Sequence, residues 1–338
     1  MPEIIDFTRL EIHRKRSLSV RDFFFRYREE LSLTLKTPES SLGTEIIEAN
    51  LHRPGLALAG FTEVYSHQRI QIIGTTEWFY LESAGEEKRR EIFDRIKAFP
   101  SPLWVLTHNA GPHDELLKMC LEQNIPVCST ARETMDFCTE LQEMLENWFA
   151  PYSSVHASLV DVYGVGMLYV GESGVGKSEC VLDLVERGHR LVADDTVNLI
   201  RRGNALIGKG SDLLGHHMEI RGVGIVDVGK LFGIRAIRRA KKIEVVVELQ
   251  RWREGERYDR TGLDPIYTEI IGRRVPKVII PVSPGKNITV ISEVIAMNTL
   301  LKMTGVDTAQ LFNEKLKDSM KSRNIKDDPA ALSGEAHE

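Results

Sequence analysis

The chain has 338 residues, with 44 Lys and Arg against 49 Asp and Glu and a formal net charge of −5. That length suggests two domains with enough apolar content for real cores, and the mildly negative balance offers no global attraction for nucleic acid. No run of about 18 apolar residues exists, and Glu3, Asp6 and Arg9 leave no signal-peptide apolar region, so the sequence reads as a cytoplasmic protein with no membrane partner.

From residue 55 to 127 the pattern alternates. Apolar runs at 55–61, 70–74 and 103–107 are interleaved with helical spacing at 86–98 and 113–123, which reads as a small N-terminal α/β domain over 1–131. It contains no assembled chemical motif. The stretch 132–150 places Met135, Cys138, Leu141, Leu145 and Trp148 at helical spacing and ends before Pro151, so it reads as a helix linking two blocks. Cys120, Cys128, Cys138 and Cys180 have neither CxxC spacing nor the density of a disulfide scaffold, and are expected as reduced thiols.

A second α/β domain, 151–317, carries the legible chemistry. Its expected strands are 156–163, 165–170, 190–193, 243–249 and 275–281, with a helix over 287–303. After residue 317 the chain turns polar and reads as a frayed helix followed by a disordered tail, 318–338. His156 begins the first of these strands. Taken alone, it fits a buried, hydrogen-bonded core residue as well as a site residue.

Between the second strand and a helix lies GESGVGKS, a full match to G-x-x-x-x-G-K-[ST]. Such a loop aims backbone N–H groups at phosphates, so Gly171, Glu172, Ser173, Gly174, Val175, Gly176, Lys177 and Ser178 form the expected nucleotide-binding segment. Lys177, expected as an exposed loop lysine, would reach the β- and γ-phosphates, and the Ser178 hydroxyl would face Mg²⁺. Asp194 and Asp195 end the strand 190–193. A carboxylate there can hold Mg²⁺ through water, accept a proton from an attacking hydroxyl, or merely cap a turn, and spacing does not assign those roles within the pair.

Further on, MEIRGVGIVDVG reads as a glycine-rich turn, with Glu219 a candidate metal ligand and Arg221 a candidate anion contact. Arg260 in YDRTGLD and Lys286 in PVSPGKN are basic residues that fit either solvated positions or phosphate ligands. No N-K-x-D guanine-reading motif follows the loop in the domain, which argues against a switch GTPase. A kinase of another protein or of a small-molecule hydroxyl, and a nucleotide-gated regulator that transfers nothing, stay open on local chemistry.

In order, His156 with LVDVYGVG, GESGVGKSE, RGHRLVADD, MEIRGVGI, YDRTGLD and PVSPGKN with EVIAMN resemble the HPr kinase/phosphorylase family. The resemblance implies ATP- and Mg²⁺-dependent phosphorylation of a regulatory serine on HPr, the small phosphocarrier protein of the sugar phosphotransferase system. It also implies a second reaction, in which inorganic phosphate removes that group and yields pyrophosphate. By the same resemblance Lys177 is catalytic, Ser178 and Glu219 hold Mg²⁺, Asp195 takes the serine proton, and His156 and Arg260 belong to the active site. The family fold around the loop is similar to phosphoenolpyruvate carboxykinase, and its members form homohexamers. Relatives usually carry arginine where this chain has Ser283 and Lys286, in a segment associated with dephosphorylation. Lys286 keeps the charge without the planar fork, so the expectation is a firmer kinase than phosphorylase.

Overall fold

The structure, a computed structural model, describes residues 6–211, 215–254 and 263–326. It divides into two α/β units. One is His13–Pro151; the other takes in residues 6–12 with the described residues from 152 onward.

The first unit is built on a five-stranded sheet in the order Leu33–Leu35, Val127–Thr130, Trp104–Leu106, Ile70–Ile73, Leu51–His52. All neighbours are parallel except the first pair. Strand periodicity divides the side chains between two cores. Ile70, Ile72 and Val105 face Phe137, Leu141 and Leu145, while Ile73, Trp104 and Leu106 face the helices Thr75–Ile96 and Asp114–Glu122.

Three sequence expectations change here. The apolar run 55–61 forms a short helix, Gly55–Leu58; it contains Leu and Ala but no β-branched residue, which favours helix over strand. The helix expected over 86–98 is present and ends at Ile96, but it follows a break at Gly85, φ 72°, from a further helical stretch that begins at Thr75. The supposed linker helix, Thr134–Trp148, buries Phe137, Leu141 and Leu145 in this unit's core and so is part of it.

In the second unit a six-stranded mixed sheet runs Arg190–Ala193, Ser158–Val162, Val165–Gly171, Val245–Arg251, Arg273–Val282, Ile266–Ile270. Three adjacent strands, Val165–Gly171, Val245–Arg251 and Arg273–Val282, are mutually parallel. One face packs Val160, Met167 and Tyr169 against Val181 and Leu184 of the helix Lys177–Glu186. The other packs Leu159, Leu168 and Val246 against Val197, Leu199 and Leu206 of a four-stranded antiparallel sheet. Phe7, only 6% exposed, joins this second core, and its burial contributes about 1.5–3 kcal/mol.

The single strand expected over 156–163 is two strands in two sheets. Tyr152–His156 lies in the four-stranded sheet, Ser158–Val162 in the six-stranded one, and the fully buried Ala157 makes the step. Its neighbour makes the same step: Arg190–Ala193 belongs to the larger sheet and Thr196–Arg202 to the smaller, with Asp194 and Asp195 between. Thr196 pairs with His156 and Ala193 with Leu159, so both crossings fall at one place. MEIRGVGIVDVG is a hairpin, His217–Ile220 with Gly224–Asp227, rather than a bare turn. The helix Thr308–Lys326 runs past residue 317; residues 327–338 lie outside the described residues.

Candidate active site

The phosphate loop leaves the carboxyl end of Val165–Gly171 and closes on the helix Lys177–Glu186, whose N-cap is Gly176. Its first position demands glycine. Gly171 has φ 146°, and a Cβ there would lie 2.4 Å from the Leu249 carbonyl oxygen on the neighbouring strand. At Gly174 an added Cβ would stand 3.0 Å from an Arg221 guanidinium nitrogen, so the hairpin's arginine rests against the loop.

Lys177 is buried, not the exposed lysine expected, and its Nζ donates to the carbonyls of Gly171 at 3.0 Å and Glu172 at 3.2 Å. Burial lowers its ammonium below the usual lysine range, while the Asp194, Asp195 and Glu179 carboxylates act the other way. Val175 places its side chain in the core, and the Glu172 carboxylate faces Arg251 and Arg253 at 3.7 and 3.9 Å, so these two loop residues offer the site only main chain.

Facing the loop is the place where the two sheets meet. His156 Nδ1 lies 3.0 Å from Asp195 Oδ1, and both side chains are open to solvent, 53% and 64% exposed. His156 is therefore not the buried core residue its strand position also allowed. Asp195 takes a left-handed φ of 64°, unusual for a non-glycine residue, and its carbonyl accepts from Ala157 N at 3.2 Å. Asp194 points the other way: it is buried and accepts from Ser158 Oγ at 2.5 Å. Burial pushes its carboxyl above the usual carboxylate range, against hydrogen bonds from the Ser158 and Ser178 hydroxyls. The adjacent aspartates, inseparable by spacing, thus differ in kind. Asp194 holds Ser178, and Asp195 presents a free oxygen to the opening.

These groups surround one cavity of about 220 Å³. Ser173, Gly174, Gly176, Lys177 and Ser178 line it from the loop, and His156, Asp194 and Asp195 from the sheet crossing. Glu219 and Arg221 line it from the hairpin. Ser158 and Glu179 also line it, and neither was expected as a site residue; a serine inside an apolar strand carries no motif signal. Lys286 is not among the lining residues: its Nζ donates to the Pro281 carbonyl at 2.9 Å. Arg260 lies outside the described residues.

Among the described residues no three His, Cys, Asp or Glu side chains gather to make a metal cage. Among the oxygen donors that line the cavity beside the phosphate loop are the Ser178 hydroxyl and the Glu219 carboxylate. That set suits an ion such as Mg²⁺, which takes one or two protein ligands and completes its shell with phosphate oxygens and water. No helix among the described residues is long and apolar enough to cross a membrane.

A phosphate loop sharing a cavity with an open carboxylate that carries a histidine on one of its oxygens defines a P-loop phosphotransferase. Residues 18–145 match the family model described as HPr Serine kinase N terminus, and 147–316 the one described as HPr Serine kinase C-terminal domain. The chain is 44% identical over 329 residues to the HPr kinase/phosphorylase of Chloroherpeton thalassium, covering 96% of each. It is 42% identical over 308 residues to that of Leptospira biflexa, covering 90% of this chain and 95% of the relative. A solved HPr(Ser) kinase/phosphatase from Coxiella burnetii aligns with 48% of this chain and 99% of its own, at 35% identity and a TM-score of 0.43. The chain belongs to the HPr kinase/phosphorylase family and is an enzyme, a kinase paired with a phosphorylase activity.

Proposed function

We propose that this enzyme uses ATP and Mg²⁺ to phosphorylate a serine of HPr, and that inorganic phosphate reverses the modification with release of pyrophosphate. The observation that carries this reading is the opposition, across one cavity, of the phosphate loop and the His156–Asp195 pair.

In the forward direction the serine oxygen bonds to the γ-phosphorus as the bond from that phosphorus to the β-phosphate bridging oxygen breaks. The serine proton passes to the free oxygen of Asp195. Nδ1–H of His156 occupies the other oxygen and fixes the carboxylate's orientation. Lys177 releases the Gly171 and Glu172 carbonyls and donates instead to phosphate oxygens. Arg221, against the loop, adds a second positive group where charge develops. Ser178, oriented by Asp194, and Glu219 would hold Mg²⁺, which supplies charge neutralisation across the phosphates.

In the reverse direction a phosphate oxygen attacks the seryl phosphorus, the bond to the serine oxygen breaks, and protonated Asp195 returns the proton to it. One carboxylate serves both directions. A cytoplasmic location fits this chemistry, and a homohexamer is the assembly that the family resemblance implies.

The test is direct. Purified enzyme, Mg²⁺, γ-labelled ATP and HPr are mixed, label on HPr serine is followed, and excess phosphate is added while pyrophosphate is assayed. Labelling followed by phosphate-driven loss and pyrophosphate release is the expected result. No label on HPr while a small alcohol is phosphorylated would assign a different acceptor, and bound ATP with no transfer at all would make the protein a nucleotide-gated regulator.

A further inference from the structure

The helix Ile288–Met303 is apolar in composition, yet three of its four buried residues are polar: Thr289, Ser292 and Glu293, with Ala296. Its outward side carries Val290, Val294, Met297 and Leu301. The buried polar groups all find partners on or just after the phosphate-loop helix Lys177–Glu186. Thr289 Oγ1 donates to Asp183 Oδ2 at 3.0 Å, and Ser292 Oγ lies 3.9 Å from Cys180 Sγ. Glu293, 8% exposed, accepts from Arg187 Nε at 3.0 Å and Nη2 at 2.7 Å, and His189 Nε2 lies 3.1 Å from the same carboxylate. The Tyr163 hydroxyl reaches it at 3.4 Å from the tip of the hairpin between Ser158–Val162 and Val165–Gly171. These hydrogen bonds hold the Glu293 carboxyl below the usual carboxylate range, Arg187 foremost.

An ionic grip between the buried Glu293 carboxylate and the half-exposed Arg187 adds little net stability over a well-packed apolar contact, but it does fix one geometry. The geometry at stake is that of residues 283–287. This segment leaves the carboxyl end of Arg273–Val282, whose Val282 pairs with Arg251, and enters the helix at Ile288. The phosphate loop leaves the same edge of the parallel strands, where Gly171 pairs with Leu249. One end of the segment is held by backbone pairing, whereas the position of the other depends on where side chains seat the helix.

We propose that Glu293 is a positioning residue: by gripping Arg187 and His189 it seats the helix Ile288–Met303 on the phosphate-loop helix, and so sets where the Lys286-bearing segment stands for the phosphate-dependent reaction. This rests on the proposed function for its kinetic consequence and on geometry alone for its structural one.

The test uses the full chain with Glu293→Gln, which keeps shape but not charge, and with Arg187→Met as an independent removal of the partner. Hydrogen exchange of the peptide 281–290 is compared with that of the strand 165–171, alongside forward and phosphate-dependent rates and thermal unfolding. Both variants should exchange roughly 5-fold faster or more over 283–290 with the strand unchanged. They should lose about 10-fold in dephosphorylation, through the phosphate KM, while forward turnover changes less than about 3-fold. Unchanged exchange overturns the proposal, as does a fall in both reactions that merely tracks lower melting temperature. If the wild-type enzyme has no phosphate-dependent reaction, that part of the proposed function fails, and the exchange comparison still decides whether Glu293 positions the segment.

Discussion

His156 Nδ1 stands 3.0 Å from Asp195 Oδ1 at a point where two neighbouring strands both pass from one sheet to another. In the proposed reaction the second Asp195 oxygen takes the acceptor proton. Replacing Asp195 by Asn should lower phosphoryl transfer about 10²–10⁴-fold, the usual contribution of a positioned base. His156→Ala removes only the orienting donor and should cost about 1–3 kcal/mol, some 5- to 150-fold. Steady-state rates with calorimetric nucleotide binding check both: affinity should hold in each variant, and equal losses from the two would contradict the division of roles.

Lys177→Ala should abolish most transfer, by about 10²–10³-fold, because developing phosphate charge loses its nearest cation. Its two hydrogen bonds to loop carbonyls make the change mildly destabilising, about 0.5–1.5 kcal/mol, rather than neutral. Urea titration and single-turnover labelling separate these effects. Wild-type turnover in this variant would overturn the assignment of the loop.

Gly171→Ala meets both an unfavourable φ and the Leu249 carbonyl oxygen, so the strand pair beneath the loop must shift. A loss of about 1–3 kcal/mol in stability is expected, together with weakened nucleotide binding. Melting curves with and without ATP give both numbers.

Asp194 carries a pH signature. Unfolded, its carboxyl titrates near the ordinary 3.8; folded, burial raises it. The native state therefore holds that proton more tightly, and the group's contribution to stability, full below the ordinary value, is lost as pH rises through the folded one. Asp194→Asn removes this loss, so its stability relative to wild type should improve as pH rises above the ordinary carboxylate value in urea melts. A pH-independent difference would contradict the buried carboxyl. Transfer should still fall, because Ser178 loses a carboxylate partner.

Lys286→Ala should depress phosphate-dependent dephosphorylation while sparing the kinase reaction, and Lys286→Arg should raise it several-fold by supplying a forked cation. Comparing the two rates on phosphoseryl-HPr checks this. Equal phosphorolysis in all three proteins would remove the segment from the reaction.

Much of the lining of the candidate site was legible because a phosphate-loop motif is contiguous in sequence. Gly171 to Ser178 are adjacent in sequence, and Glu219 lies in a recognisable run. What stayed hidden depends on long-range pairing. The split of 156–163 into two strands turns on Ala157, a small residue that no periodicity marks as a step between sheets. The opposite orientations of Asp194 and Asp195 follow from that split. Ser158 and the Glu293 grip join residues 36 and more than 100 positions apart. Short strands such as Leu51–His52 fell below any repeat length, and the helix Thr134–Trp148 disclosed its apolar face but not the unit that face belongs to.

Because Asp195 and His156 stand on the crossing itself, the proposed base sits in a two-residue bend whose flanking strands are both anchored in the core of its unit. Ala157, Leu159 and Val197, beside the crossing in sequence, belong to that core. A methyl group removed from that core would be felt twice, as a lower melting temperature and as a misaligned base. Among variants of these core positions, turnover and thermal stability should therefore decline together, whereas changes of similar energetic size in the five-stranded unit should lower stability and leave turnover alone.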